Sequence, residues 1–150
     1  MYPTVGNPFI WRSVYLAGGQ LHTDRLRVMA EIQWQEGSRV ALLQEHDLTL
    51  EARADPRVRR DFARFSYFSS DWLARSPDDP GMIGDARYSL RTDRYEPIWG
   101  VRFHPGAPQP TEWVDHTTKN RIPLGDLWRE IMGRADGYRM LPGRTQAASN

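Results

Sequence analysis

Cysteine is absent from the 150 residues of this chain, and lysine occurs once, at Lys119. The lack of cysteine excludes disulfide bonds, thiolate metal sites and cysteine nucleophiles. No apolar run approaches the ~18 residues that a membrane-spanning helix needs, so no segment is predicted to cross a bilayer as a helix. The formal net charge is only +1, whereas nucleic-acid-binding domains are usually strongly basic. We therefore predict no nucleic-acid partner.

Motifs that carry a specific catalytic chemistry are missing as well. The sequence contains no HExxH zinc motif, no glycine-rich phosphate loop and no GxSxG nucleophile turn. Nearly all of the positive charge is arginine, which reflects either GC-rich coding or recognition of carboxylates and phosphates by the planar guanidinium. We predict no catalytic residue within this chain.

The early part of the chain predicts an antiparallel hairpin. Residues 10–16 and 20–29 are rich in β-branched and aromatic side chains, and they flank the turn signal Ala17-Gly18-Gly19. Alternation places Arg12 on the mostly apolar face of the first strand, so its charge must be paired or lie near the strand end. Further strands are predicted over residues 32–34 and 40–43 (a pair turning at Gly37-Ser38), 66–73, 82–90, 98–104 and 111–118. The first residues of 66–73 belong either to that strand or to an extension of the helix that precedes it.

Two helices are predicted. Asp55 and Pro56 are typical of an N-cap and a first helical position, and Val58, Phe62 and Phe65 follow at helical spacing. Residues 47–51 are either a short strand or a lead into this helix. The second helix covers residues 124–134, with Leu127, Trp128 and Ile131 as its buried side.

Because strands outnumber helices and follow one another through short turns, the sequence predicts an α+β fold. We expect one mostly antiparallel sheet of about six to eight strands with the two helices packed on it. Residues 1–143 are expected to form a single soluble domain, followed by a disordered tail at 144–150.

Histidine is the commonest metal ligand, and His104, Asp115 and His116 lie close together in the sequence. Hairpin geometry argues against a shared metal. If residues 105–110 form the loop, His104 pairs near Thr111, and His116 lies about 16 Å further along its strand. We predict no metal site in this chain.

The polar stretch around Asp85 and Arg87 is the candidate ligand-binding site. In one interpretation the two side chains form a buried ion pair that anchors the sheet. In the other they line a pocket for an anionic group, with Arg12 or Arg25 from the hairpin and with Asp71 and Trp72 at its border.

Several short motifs, taken in order, resemble the YdjM-type inner-membrane proteins, a family also labelled LexA-binding and named as metal-dependent hydrolases. The similarity covers residues 3–90. It rests on Pro3-Thr4 with NPFIWR at 7–12, the Gly-Gly turn followed by Asp24-Arg25, DPRVRRDFARF running into SYFSSDW, and DARYS at 85–89.

The resemblance implies that this chain is the soluble C-terminal part of a longer membrane protein, with Met1 supplied for expression. In that family, hydrophobic helices at the start of the protein carry the His and Asp residues assigned to a divalent metal, and this sequence lacks those helices. The metal, the membrane anchor and the hydrolase activity would then belong to the missing part, and a LexA-like protein would be a partner.

Three functional hypotheses remain open. The first is a non-catalytic domain of an inner-membrane hydrolase, acting in partner docking or substrate gating. The second is a self-contained small-ligand-binding domain or hydrolase with the Asp/Arg-lined pocket. The third is an interaction module that uses a sheet edge or the arginine face at residues 57–64.

Overall fold

The computed structural model describes residues 2–4, 7–29, 31–89, 91, 94–117 and 139–140. Their strands form two antiparallel sheets, and the helices lie between the fourth and fifth strands in the sequence. The five-stranded sheet has the order β1 (Tyr2–Thr4), β2 (Asn7–Ala17), β3 (Gln20–Val28), β4 (Ile32–Ala41), β9 (Arg139–Met140). The four-stranded sheet has the order β5 (Leu73–Arg75), β6 (Met82–Asp85), β7 (Trp99–Phe103), β8 (Thr111–Asp115).

The predicted hairpin is confirmed by β2 and β3, which pair from Ile10 opposite Arg27 to Ala17 opposite Gln20. Gly18 and Gly19 both have positive φ, 57° and 74°, as the two central residues of a tight hairpin turn require. Glycine adopts this conformation without steric cost, so the Gly-Gly pair fixes where the chain reverses.

Strand β4 corrects the prediction of two short strands that turn at Gly37-Ser38. The chain continues without reversal, and Thr23 of β3 faces both Gly37 and Ser38, because His22 pairs with Arg39 and Asp24 pairs with Glu36. The two small polar residues therefore form a β-bulge instead of a turn. The Gly37 main-chain N–H donates to Asp24 Oδ1 at 3.3 Å.

A short 3-10 helix (Glu45–Asp47), α1 (Leu50–Ala54) and α2 (Pro56–Phe68) follow β4. The start predicted for α2 is confirmed, since the Asp55 side chain accepts the Arg57 main-chain N–H at 2.9 Å. Residues 47–51 were predicted as either a short strand or a lead into the helix, and the structure shows the second. The second predicted helix, 124–134, and the tail, 144–150, lie outside the described residues.

Two predicted strands are shorter in the structure. The aromatic residues at the start of 66–73 extend α2 to Phe68, and the chain then leaves the helix through Ser70 and Asp71, both with positive φ. The strand predicted over 82–90 ends at Asp85, where the carboxylate accepts the main-chain N–H of Arg87 and closes a tight turn. The hairpin of β7 and β8 follows its prediction closely.

The largest apolar cluster joins the helices to the four-stranded sheet. It contains Leu43, Leu48, Ala52, Val58, Phe62, Phe65, Leu73, Ile83 and Val101. The α+β class and the antiparallel pairing are therefore confirmed. The strands form two sheets where a single one was predicted. The chain returns beside the end of β4, where the Leu43 main-chain N–H donates to the Leu73 carbonyl at 2.8 Å, but β5 pairs along its length with β6 and so begins a second sheet. Within the described ranges, neither helix has the length or hydropathy needed to cross a membrane.

Candidate functional site

Asp85 and Arg87 form an ion pair that is buried at the end of β6. Asp85 is fully buried, and its Oδ2 lies 2.6 Å from Arg87 Nη2. Its Oδ1 accepts both the Arg87 Nε–H, at 2.9 Å, and the Arg87 main-chain N–H, at 3.0 Å. The guanidinium thus binds the carboxylate through two nitrogens, which is the strongest geometry for this pair.

The same guanidinium extends to the end of α2. Arg87 Nη2 also donates to the Phe68 carbonyl at 2.9 Å, and Nη1 donates to Ser70 Oγ at 3.3 Å. A helix leaves its last carbonyls without internal partners, so Arg87 satisfies one of them and attaches the helix end to the sheet.

Arg12 brings the first sheet into the cluster. It is buried on β2, donates through Nη1 to the Arg87 carbonyl at 3.1 Å, and contacts Thr23 Oγ1 through Nη2 at 3.3 Å. The structure therefore brings together three of the predicted residues, Arg12, Asp85 and Arg87. Arg25 lies opposite Arg12 in the β2–β3 pairing and donates to the Gln35 side chain.

Asp71, the fourth predicted residue, lies elsewhere. It is exposed in the left-handed turn after α2, and its Oδ1 accepts the Ser66 hydroxyl at 2.7 Å. Neither of two surface cavities formed by the described residues is lined by Arg12, Asp85 or Arg87. The contacts of these three residues favour the sheet-anchoring interpretation over the pocket.

Sequence reasoning missed Tyr95, a buried polar residue beside this cluster. Its hydroxyl donates to the Ala74 carbonyl at 3.2 Å. Burial raises the pKa of Tyr95, the charge of Asp85 raises it further, and Arg12 opposes the shift. Tyr95 lies in a charged, non-periodic stretch with no local signal that would have placed it in the core.

His104, one of the two histidines considered as metal ligands, has a different partner. His104 Nε2 lies 2.9 Å from Glu112 Oε2, and Arg102 Nη1 donates to the same oxygen at 3.0 Å. These two hydrogen bonds, with His104 first, lower the pKa of Glu112. In the part of the chain that the structure describes, no three His, Asp or Glu side chains converge as metal ligands would.

A groove lies beside the end of α2, and we call it the α2 groove. Its volume is about 660 Å³, and Leu42, Leu43, Phe62 and Ala63 supply its apolar part. Tyr67 lines it and is 88% exposed, and the neighbouring Phe68 is 60% exposed. No pattern in the sequence indicated the groove, because residues far apart in the chain form it.

The charge of the α2 groove has one sign. Among the described residues that line it, Glu45 and Asp71 are the only carboxylates, and there is no lysine, arginine or histidine. A groove that combines an apolar part, the polar side chains of Gln44, Ser66 and Ser70 and two carboxylates suits a ligand with an apolar part and a cationic part.

Comparison with family models, with curated proteins and with solved structures finds no match to this chain.

Proposed function

We propose that this chain is a non-catalytic docking domain that binds a segment of a partner protein in the α2 groove. The observation that carries the proposal is the exposure of Tyr67, an aromatic side chain that lines a partly apolar groove, with the exposed Phe68 next to it in the sequence. Isolated exposed apolar residues are ordinary, but adjacent aromatics beside such a groove are typical of a binding surface. Aromatic side chains of this kind often dominate the energy of a protein interface.

Rigid presentation of these aromatics supports the proposal. Arg87 holds the Phe68 carbonyl, and the Ser69 main-chain N–H donates to the Phe65 carbonyl at 2.9 Å. The Asp71 main-chain N–H donates to the Ser66 carbonyl at 2.9 Å, which fixes the turn that borders the groove. A surface that is already ordered loses less entropy when a partner binds. The ion pair of Asp85 and Arg87 then serves function indirectly, by positioning the docking surface.

The lining of the α2 groove indicates the chemistry of the partner. The apolar floor favours an aliphatic or aromatic side chain, and Glu45 and Asp71 favour a neighbouring arginine or lysine. The Tyr67 ring also offers a face to such a cation. We therefore propose a partner segment in which an apolar residue is followed or preceded closely by a basic one.

The order of motifs over residues 3–90 supports a wider proposal about the parent protein. In this proposal the chain is the docking part of a YdjM-type inner-membrane hydrolase, and the divalent metal and the membrane-spanning helices belong to the rest of that protein. A LexA-like protein is then the first full-length partner to test.

A peptide display selection tests the docking proposal directly. Immobilised domain should enrich peptides in which apolar and basic residues are adjacent, and Tyr67→Ser should weaken their binding about tenfold or more, as expected for an aromatic at the centre of an interface. Ala63→Arg, which places a bulky cation in the groove, should weaken them as well.

Tyr15→Ser is the matched control, since Tyr15 is an exposed aromatic on the first sheet and outside the α2 groove. Its binding should equal that of the unchanged protein. Enriched peptides that bind all three variants equally, or that share no apolar and basic pattern, would refute the proposal.

A further inference from the structure

A second cavity, separate in chemistry from the α2 groove, lies where β4 ends. It has a volume of about 590 Å³ and lies between residues 39–43, Asp47 and the loop that joins β5 to β6. Arg39 and Arg75 are among the residues that line it. We infer that this cavity binds an amphipathic organic anion, with a carboxylate or phosphate head near the two arginines and an apolar body along the remaining wall.

Arg75 provides a cation that is held in a fixed position. Its Nη1 donates to the Pro80 carbonyl at 3.2 Å, and its Nη2 donates to the Asp47 carbonyl at 2.9 Å. The side chain makes no ion pair with any residue that the structure describes, and both of these acceptors are neutral carbonyls. A guanidinium in this state still favours an anion, because neutral acceptors compensate its charge only in part.

Arg39 provides a second cation that can change partners. Its side chain is 55% exposed and pairs with Glu36, which is also well exposed. Exposed ion pairs contribute little, so an anion in the cavity can replace Glu36 at small cost. Asp47 is the one acidic residue among the described residues of the lining, and its Oδ2 accepts the Gln44 main-chain N–H at 2.8 Å.

The rest of the wall is apolar. Val40, Leu42, Pro77 and Pro80 line the cavity, and none of these four is fully buried. A mostly apolar cavity with a few convergent polar groups is the usual form of a small-molecule site. The cations select the head group of the ligand, and the wall accepts a short alkyl or ring system.

Octyl phosphate, used below the concentration at which it aggregates, is a suitable probe. In an NMR titration of the 15N-labelled chain we expect saturable shifts of the Leu42 and Ser76 amides and of the Arg75 Nε–H. Octyl glucoside, which has the same tail and no charge, should bind at least about fivefold more weakly. Raising the salt concentration from about 0.05 to 0.5 M should weaken octyl phosphate binding, because it screens the arginines.

Variants locate the site. Arg39→Gln and Arg75→Lys should each weaken octyl phosphate binding about fivefold, the second because lysine keeps the charge but loses the planar fork. Arg59→Gln, which removes an exposed arginine of α2, is the control and should leave the affinity unchanged. Tyr67→Ser should also leave it unchanged, so this inference and the docking proposal can fail separately.

Three results would overturn the inference. Equal binding of octyl phosphate and octyl glucoside would leave an apolar cavity without anion selectivity. Unchanged affinity in both Arg39→Gln and Arg75→Lys would exclude these guanidinium groups. Binding to phosphatidylglycerol vesicles without any binding of monomeric octyl phosphate would assign the arginines to a membrane surface instead of a cavity.

Discussion

Arg12 donates to the main-chain carbonyl of Arg87 at 3.1 Å, although the two residues are 75 positions apart in the sequence. Arg12 lies on β2 of the five-stranded sheet, and Arg87 follows β6 of the four-stranded sheet. Because Arg87 also holds Asp85 and the end of α2, one residue connects both sheets and the helix. The stability of this cluster should therefore control how the docking surface is presented.

Asp85→Asn tests that role. The amide keeps an acceptor for the Arg87 main-chain N–H but removes the charge that the guanidinium faces. Breaking one side of a buried ion pair typically costs about 3 kcal/mol, so the urea midpoint of unfolding should fall clearly. Circular dichroism during urea titration provides the measurement.

Asp78→Asn is the control for Asp85→Asn. Asp78 lies 3.8 Å from Arg94, and both side chains are at least half exposed. Removing such a pair should change the free energy of unfolding by less than about 1 kcal/mol. If Asp85→Asn were as mild as Asp78→Asn, the cluster would not anchor the sheets.

Gly84→Ala should destabilise the protein through direct overlap. An added Cβ at Gly84 would overlap Pro97 Cβ and lie 2.8 Å from Tyr95 Oη. Both neighbours are buried, so they cannot move aside cheaply, and overpacking of this kind costs about 1–3 kcal/mol. The thermal midpoint of Gly84→Ala should fall by several degrees.

Gly81→Ala is the matched control. Its Cβ would meet Arg102 Nε at 3.4 Å, which is ordinary contact with a long side chain that can adjust. We expect a thermal midpoint within about a degree of the unchanged protein. An equal loss in both variants would show that the close packing around Gly84 is not what limits substitution there.

Local signals in the sequence predicted the elements that depend on local conformation. Glycine tolerates positive φ, so the Gly18-Gly19 pair predicted a turn, and both positions do adopt positive φ. Aspartate is a good N-cap, so Asp55 predicted the start of α2. The ion pair of Asp85 and Arg87 could be predicted as well, because the two residues are only two positions apart in the sequence. These features require little knowledge of the rest of the fold.

Features that depend on distant contacts could not be predicted. Gly37-Ser38 carries a turn signal, but continued pairing with β3 makes it a bulge. Aromatic residues such as Tyr67 and Phe68 are typical of strands, yet these two lie at the end of α2, where Arg87 donates to the Phe68 carbonyl. Both cavities join residues just before or after the end of β4 to residues that come about 20 or more positions later, which periodicity within one segment cannot reveal.

Ser38→Ala tests the function of the bulge. Ser38 Oγ accepts the main-chain N–H of Tyr95 at 2.6 Å, and the bulge places the hydroxyl there. Alanine would leave the Tyr95 N–H without this acceptor, at a cost of about 1–3 kcal/mol. Ser38→Thr keeps the hydroxyl and should recover most of the loss in chemical denaturation. If threonine and alanine were equally destabilising, packing at the bulge would matter more than the hydrogen bond.

Asp55 should make stability depend on pH in acid. The Arg57 side chain, the Gly106 main-chain N–H and the Arg57 main-chain N–H all donate to its carboxylate, and they hold its pKa well below the usual range. The unfolded chain then binds a proton at a higher pH than the folded chain does. The stabilisation is present in full above the unfolded pKa of about 4 and is lost as the pH falls further.

Asp55→Asn isolates this contribution, because asparagine is also a good N-cap but does not titrate. At pH 7 the unchanged protein should be the more stable of the two in thermal unfolding. The difference between the two midpoints should shrink steadily as the pH falls from about 5 to 2, since protonation removes the advantage of the carboxylate. Glu112 and Asp115, whose pKa values are also lowered, are present in both proteins and cancel in the comparison. A difference that stays constant over this range would mean that the charge of Asp55 contributes nothing and that its hydrogen bonds alone form the cap.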